Sequence, residues 1–116
     1  MRLYLGTMPT RLLADDKIRP TEYRKWKHAE RQFTTGKDRA KVDELKASIA
    51  QHGLQKPVIL GISDRYPDDV YLADGHHRAI ALKELGISDF QFHWYWIRSM
   101  GVRMEEVEFP YATLGL

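Results

Sequence analysis

The stretch VYLADGHHRAIALKELG, residues 70–86, constrains the fold more than any other part of the chain. VYLADG reads as a strand and HRAIALKELG as a helix closed by Gly86, with Gly75 at the junction. A strand that runs straight into a helix commits the chain to mixed α and β structure. Gly75 lets the backbone turn sharply and brings it close to anything bound there. The helix that follows points its free N–H groups and the positive end of its dipole back at the turn.

The remaining segments fit the same class. RLYLG and the stub ending at Pro20 read as short strands, with Ile18-Arg19 held extended by the proline. TEYRKWKHAERQF predicts a helix that sets Tyr23, Trp26, Glu30 and Phe33 on one face and ends at Gly36. TTGKDRAK reads as a polar, mobile loop. A second helix is read in DRAKVDELKASIAQHGLQKP, with Val42, Leu45 and Ile49 at helical spacing, Asp38 as a cap and Gly53 where a glycine past the helix end belongs. PVILGI predicts a short central strand and RYPDD a turn. In FQFHWYWI, Phe90, Phe92, Trp94 and Trp96 alternate with polar residues, the pattern of a strand with one buried face. The tail from Ser99 predicts a short helix over MEEVEF and a loose end. The expected architecture is a compact α+β domain over residues 1–116, with a small mixed sheet, packed helices, a core at about 12–97 and a C-terminal extension at 98–116.

Bulk properties narrow the function. The chain has 116 residues and a formal net charge of +2, so it is not a polycation. Basic residues concentrate locally between Arg24 and Lys41, opposed there only by Glu30 and Asp38, a segment that can track a nucleic acid, close over phosphates or simply be solvated. The chain contains no cysteine, which removes thiol nucleophiles, disulfides and cysteine-based zinc sites. No apolar run approaches the roughly 20 residues that span a bilayer. These features predict a cytoplasmic protein with no membrane partner.

Asp74-Gly75-His76-His77-Arg78 reads chemically as a phosphate-binding turn. The helix end supplies N–H donors, Arg78 a guanidinium fork, and the histidines donors that protonate near neutral pH. Asp74 can orient a histidine or hold a metal ion on a phosphate. The alternative is a capped helix with solvated polar residues. Adjacent histidines point about 100° apart on a helix, which disfavours a shared zinc ion.

Three segments in order, IRP at 18–20, LKASIAQHGLQKPVIL at 45–60 and YLADGHHRAIALKELG at 71–86, resemble the ParB/sulfiredoxin superfamily. The resemblance runs from about Leu12 to Ile97. In ParB proteins the turn is Gly-Glu-Arg-Arg, and in sulfiredoxins Gly-Cys-His-Arg; here Gly75 and Arg78 match both. His76 stands where sulfiredoxins place cysteine, so sulfinic acid reduction by that mechanism is excluded. ParB proteins continue into DNA-binding and dimerisation domains for which this chain is too short. Asp-Gly-His-His-Arg resembles the free serine kinase branch, which also carries an acidic residue two positions after the early proline. That likeness implies Glu22 as general base, Asp74 as a ligand for Mg2+ or substrate, and His76, His77 and Arg78 as a phosphate clamp, with His76 also in the catalytic set. Arg19 matches a position where relatives place a basic residue near the nucleotide.

The resulting expectation is a nucleotide- or phosphate-binding domain, taking ATP, ADP or CTP with Mg2+ or a phosphorylated small molecule, and working as a phosphotransferase or NTP hydrolase. The alternatives are a ParB-like nucleic-acid-binding protein or nuclease acting through residues 24–41, and a non-catalytic interaction protein. The short length suggests a phage origin.

Overall fold

The computed structural model describes residues 3–63, 69–98 and 101–116. Its strands are β1 (Gly6–Pro9), β2 (Ile18–Pro20), β3 (Val58–Ser63), β4 (Val70–Asp74), β5 (Asp89–Arg98) and β6 (Gly101–Met104). Its helices are α1 (Trp26–Gln32), α2 (Gly36–His52) and α3 (His76–Leu85), with 3-10 turns at Thr10–Leu12 and Tyr111–Leu114. Among the described residues the strands form one mixed sheet in the order β1-β5-β3-β4-β2, with β6 also on β5. The β3–β5 and β2–β4 pairs are parallel, and the rest are antiparallel.

The ten residues of β5 organise the sheet. Phe92 pairs with Val58 on one edge and Gly6 on the other, and Trp96 pairs with Ile62 and Arg103. So β3 takes one edge of β5, while β1 and β6 share the other, end to end. Two bonds close the junction between them: Tyr4 N–H to the Glu105 carbonyl (2.9 Å) and Glu105 N–H to the Trp94 carbonyl (3.0 Å).

Alternation along the strands decides where the core lies. Phe90, Phe92 and Trp94 share a face with Val58, Leu60, Ile62, Val70, Leu72 and Ile18, all essentially inaccessible. Ala79, Ile80 and Leu82 of α3 join the same core, and α2 packs along α3. Phe109 sets its ring edge-on to Phe92 (5.3 Å) and Trp94 (5.4 Å). Met8, Phe109 and Leu114 also belong to this cluster, so residues outside 12–97 contribute to it. On the opposite face Ile59, Ala73, His93 and Tyr95 remain partly exposed. This sheet is covered on one side, as the alternation in β5 requires.

Several boundaries differ from the sequence reading. RLYLG is not the first strand, which starts only at Gly6. α1 begins at Trp26 rather than near Thr21, because Lys25 is extended and the Trp26 N–H is taken by the Asp15 carboxylate at 2.8 Å. Trp26 and Phe33 are buried as expected, with Tyr23 edge-on to Phe33, while Glu30 turns out to Lys83 at 3.1 Å. The expected loop at TTGKDRAK is mostly helix: Gly36, at φ +68°, opens α2, and Arg39 ties its first turn to Glu84 of α3 at 2.9 Å. Asp38 does not cap that helix. Gly53 ends it as predicted, at φ +75°. The tail forms β6 instead of a helix over MEEVEF, since pairing with β5 satisfies its backbone groups and the Trp94 indole N–H bonds the Val107 carbonyl at 3.0 Å. The predicted turn at RYPDD lies outside the described residues apart from Asp69. No helix among the described residues is long and apolar enough to cross a membrane.

Candidate functional site

Gly75 joins β4 to α3 at φ +104°, a left-handed conformation that side chains resist. A β-carbon there would come within 2.9 Å of Val58 Cγ1 and 3.1 Å of Arg78 Nη2. Close packing and backbone conformation together require glycine. Parallel pairing of β2 with β4 then delivers Thr21 and Glu22 to the same end of the sheet. α2, packed on α3, contributes Lys41 and Leu45, and the α2–β3 connection contributes Lys56. With residues 74–78 these groups line a cleft of about 300 Å³. Among the described residues no ion pair or hydrogen bond holds the Lys41 or Lys56 ammonium.

The two histidines face opposite kinds of partner. His76 is buried, and its Nε2 accepts the backbone N–H of Thr21 at 3.1 Å. A backbone amide only donates, so the ring proton sits on Nδ1, 4.0 Å from Glu22 Oε2. The Thr21 hydroxyl donates to the Leu72 carbonyl at 2.7 Å and fixes the segment that supplies this amide. Burial holds the His76 pKa below the usual histidine value, with Glu22 and Asp74 pulling the other way. His76 is therefore a neutral structural link between β2 and α3 whose remaining proton faces Glu22. His77 instead sets Nε2 2.9 Å from the Asp38 carboxylate, which can only accept, so its proton is on Nε2. Its ring stacks on Phe33 at 4.5 Å and 8°. The same hydrogen bond holds the Asp38 carboxyl below the ordinary carboxylate range.

Arg78 is clasped more tightly than a free anion ligand. Nη1 donates to the carbonyls of Lys56 (3.0 Å) and Pro57 (2.7 Å), and Nη2 to Asp74 (3.1 Å). It pins the connection carrying Lys56 against the start of α3, and its charge stays at the cleft wall. Glu22 leaves its carboxylate largely exposed, with 64% of the side chain accessible. Asp74 is exposed beside it, but no group of three His, Asp or Glu among the described residues could hold a metal ion. Magnesium usually takes one or two protein carboxylates and fills its shell with phosphates and water. Asp74 fits that minority share and no more.

Arg19 lies elsewhere. It forms a two-pronged pair with Asp69 (2.7 and 2.9 Å) over the Tyr71 ring, in a hollow shared with Thr21, Ser63 and Tyr95. The structure thus brings Glu22, Asp74, Gly75, His76, His77 and Arg78 together and leaves Arg19 outside their cleft. It adds Asp38, Thr21 and Lys41, and Lys56, which its place before Pro57 lets reach the cleft, lines it too. The spacing of Asp38, Lys41 and Leu45 along α2 places them on one helical face, a signal present in the sequence. The basic run 24–41 is divided: Arg24, Lys25, Lys27, Arg31 and Lys37 are exposed, Arg39 is paired with Asp43 and Glu84, and Lys41 faces the cleft.

Chemically the cleft suits a phosphorylated anion: it offers the N–H groups of a helix start and two ammonium groups without a partner among the described residues. Comparison with known proteins bears on its ancestry. No curated protein matches the chain. Sulfiredoxin from Arabidopsis thaliana has a similar structure, with a TM-score of 0.54 and 26% identity, covering 78% of this chain and 83% of that one. The chain lacks the cysteine that thiol chemistry would need. The C-terminally truncated chromosome-partitioning protein ParB from Caulobacter crescentus, complexed with CTP-gamma-S, gives a TM-score of 0.57 at 12% identity over 84% of this chain. A Pnob8-like ParB-N domain gives 0.50 at 15% identity over 84%. At these identities both show the fold alone, and the chain spans 47% and 32% of their lengths. The family model of the ParB N-terminal domain matches residues 10–99, most of the chain. The protein belongs to the ParB N-terminal domain family.

Proposed function

We propose that the chain binds a nucleotide with its phosphates in the cleft at residues 74–78. The observation that carries this reading is the pair of ammonium groups of Lys41 and Lys56, without a partner among the described residues, on separate elements beside the Gly75–α3 turn. CTP is the first ligand to test, because one ParB relative is described in complex with CTP-gamma-S; ATP and ADP follow. Lys41, Lys56, His77 and the first N–H groups of α3 hold the phosphates, Arg78 shapes the wall, and Asp74 supplies one ligand to a phosphate-bound Mg2+. Glu22 is the general base, so the enzymatic form of the proposal is phosphoryl transfer or NTP hydrolysis.

Thermal denaturation with CTP, ATP and ADP, with and without Mg2+, tests the reading. A ligand at a hundredfold excess over its Kd stabilises by about 2.7 kcal/mol. That stabilisation is expected to fall to between about 1.4 and about 0.4 kcal/mol in the Lys41→Ala/Lys56→Ala variant, and no shift of the wild-type chain with any nucleotide overturns the proposal. Glu22→Gln is expected to keep the shift and lose turnover. The exposed residues Arg24, Lys25, Lys27, Arg31 and Lys37 favour a second reading, nucleic-acid binding, which predicts steep salt dependence and loss of affinity when they are neutralised.

A further inference from the structure

We propose that a second pocket, between the β1–β2 connection and the C-terminal end of α3, binds a small organic acid: an apolar body ending in a carboxylate, with Arg11 as its charged anchor. This pocket shares no residue with the cleft at residues 74–78, so the proposal is independent of nucleotide binding. Size, charge and an orphan hydroxyl lead to it.

The pocket has a volume of about 650 Å³, against about 300 Å³ for the cleft. That lies within the range of roughly 300–1,000 Å³ in which small-molecule sites fall. Pro9, Leu13, Ala14 and Ile87 give it apolar walls. Gly86, the residue that closes α3, leaves its rim open: a β-carbon there would meet nothing within 4 Å. An apolar body therefore gains by leaving water for this surface.

The charged residues lining the pocket, Arg11 and Lys83, are both cations, and no carboxylate lines it. Lys83 is committed: its ammonium donates to the Leu13 carbonyl at 3.0 Å, pairs with Glu30 at 3.1 Å and lies 4.3 Å from the centre of the Trp26 ring. Arg11 is exposed and has no ion pair or hydrogen bond among the described residues. The end of α3 would by itself disfavour an anion. Its Leu82 and Lys83 carbonyls, however, are already bonded by the N–H groups of Gly86 and Ile87. A carboxylate at the rim thus meets a free guanidinium whose two-pronged geometry matches it. The neighbouring Thr10 supplies a further point of contact. It lines the same pocket at 7% exposure, and its buried Oγ1 has no hydrogen-bond partner among the described residues. A buried hydroxyl left unpaired is unfavourable. Rotation about χ1 exchanges it with the methyl group, and a carboxylate oxygen held by Arg11 provides the acceptor it lacks.

Amide NMR of the intact chain, titrated with hexanoate, octanoate and phenylacetate below their self-association concentrations, tests the proposal. Saturable shifts are expected at the amides of Arg11, Ala14, Ile87 and Ser88, with those of Gly75–Arg78 unmoved. Octanol has the body of octanoate without the charge and is expected to bind roughly tenfold more weakly. Arg11→Gln, at an exposed position that leaves the fold intact, is expected to erase that difference by weakening octanoate alone. Thr10→Val keeps the side-chain shape without the hydroxyl, and is expected to weaken octanoate severalfold and leave octanol unchanged. The proposal is overturned by the absence of a saturable shift with all three acids, by shifts centred on Gly75–Arg78, or by an Arg11→Gln variant that holds octanoate as tightly as wild type. Nucleotide binding at the cleft stands under each of these outcomes.

Discussion

Two hollows flank β4, and each contains an arginine and an aspartate. In the hollow on the open face of the sheet, Arg19 and Asp69 answer each other completely: their mutual hydrogen bonds raise the arginine pKa and hold the carboxyl below its usual range. In the cleft at residues 74–78, Arg78 and Asp74 also pair, but Lys41 and Lys56 are left over among the described residues. The difference is between charge that is spent and charge that is available. A cation already satisfied by a two-pronged carboxylate gains little from a phosphate, whereas an unpaired ammonium beside a helix start gains a full partner.

Substitutions on the two sides test the contrast. The largest effect is expected at Gly75→Ala, where a left-handed backbone and overlap with Val58 combine to cost about 3 kcal/mol, read as a fall in denaturation midpoint. Lys41→Ala/Lys56→Ala is expected to leave stability nearly unchanged and weaken nucleotide binding by roughly tenfold to hundredfold, read by calorimetry. On the open face, Gly61→Ala puts a methyl group 2.5 Å from the Tyr71 ring, but the ring end can swing aside and the strand backbone is unstrained. Its cost is expected to be about 1.5 kcal/mol, with ligand affinity unaffected. Arg19→Ala is smaller still, under about 1 kcal/mol for an exposed pair, and again silent in binding. An Arg19→Ala variant that loses nucleotide affinity breaks the distinction between the two hollows.

The fifth prediction concerns acid. The folded-state pKa of Asp38 lies below its unfolded value, so its bond to His77 stabilises the protein above the unfolded pKa. That contribution disappears as pH falls through the folded pKa. Asp38→Asn removes this acid-dependent component, which is visible as a shallower loss of denaturation midpoint between about pH 5 and pH 3.

Local features were legible in the sequence. The run into Gly75, the glycine ends at Gly53 and Gly86, and the alternation from Phe90 to Trp96 each follow from rules spanning a few residues, and each appears where expected. What escaped depends on tertiary partners. Asp38 looked like a helix cap because a carboxylate before an apolar-periodic run usually is one; packing of α2 on α3 gives it His77 instead. Arg19 was placed with the phosphate residues by resemblance, yet strand alternation alone sets it on the face opposite Ile18 and Pro20. Glu22, by contrast, is joined to the turn by the resemblance and by no local pattern, and the β2–β4 pairing brings it to the same cleft. The GVRM strand was too short to show a period.

The shared edge of β5 has a consequence for how the chain folds. β1 and β6 come from the two ends of the described sequence, and the Tyr4–Glu105 hydrogen bond spans nearly all of it. Such a contact closes a very large loop, and its entropy must be met before the pairing returns any energy. β3, β4 and α3 can assemble from nearer neighbours, and β6 folds back on β5 as a local hairpin, while the edge of β5 at Asp89–Phe92 stays open until β1 docks from the far end of the chain. Until then the long aromatic strand carries a bare edge, and that interval is when the chain is most exposed to pairing with another copy of itself.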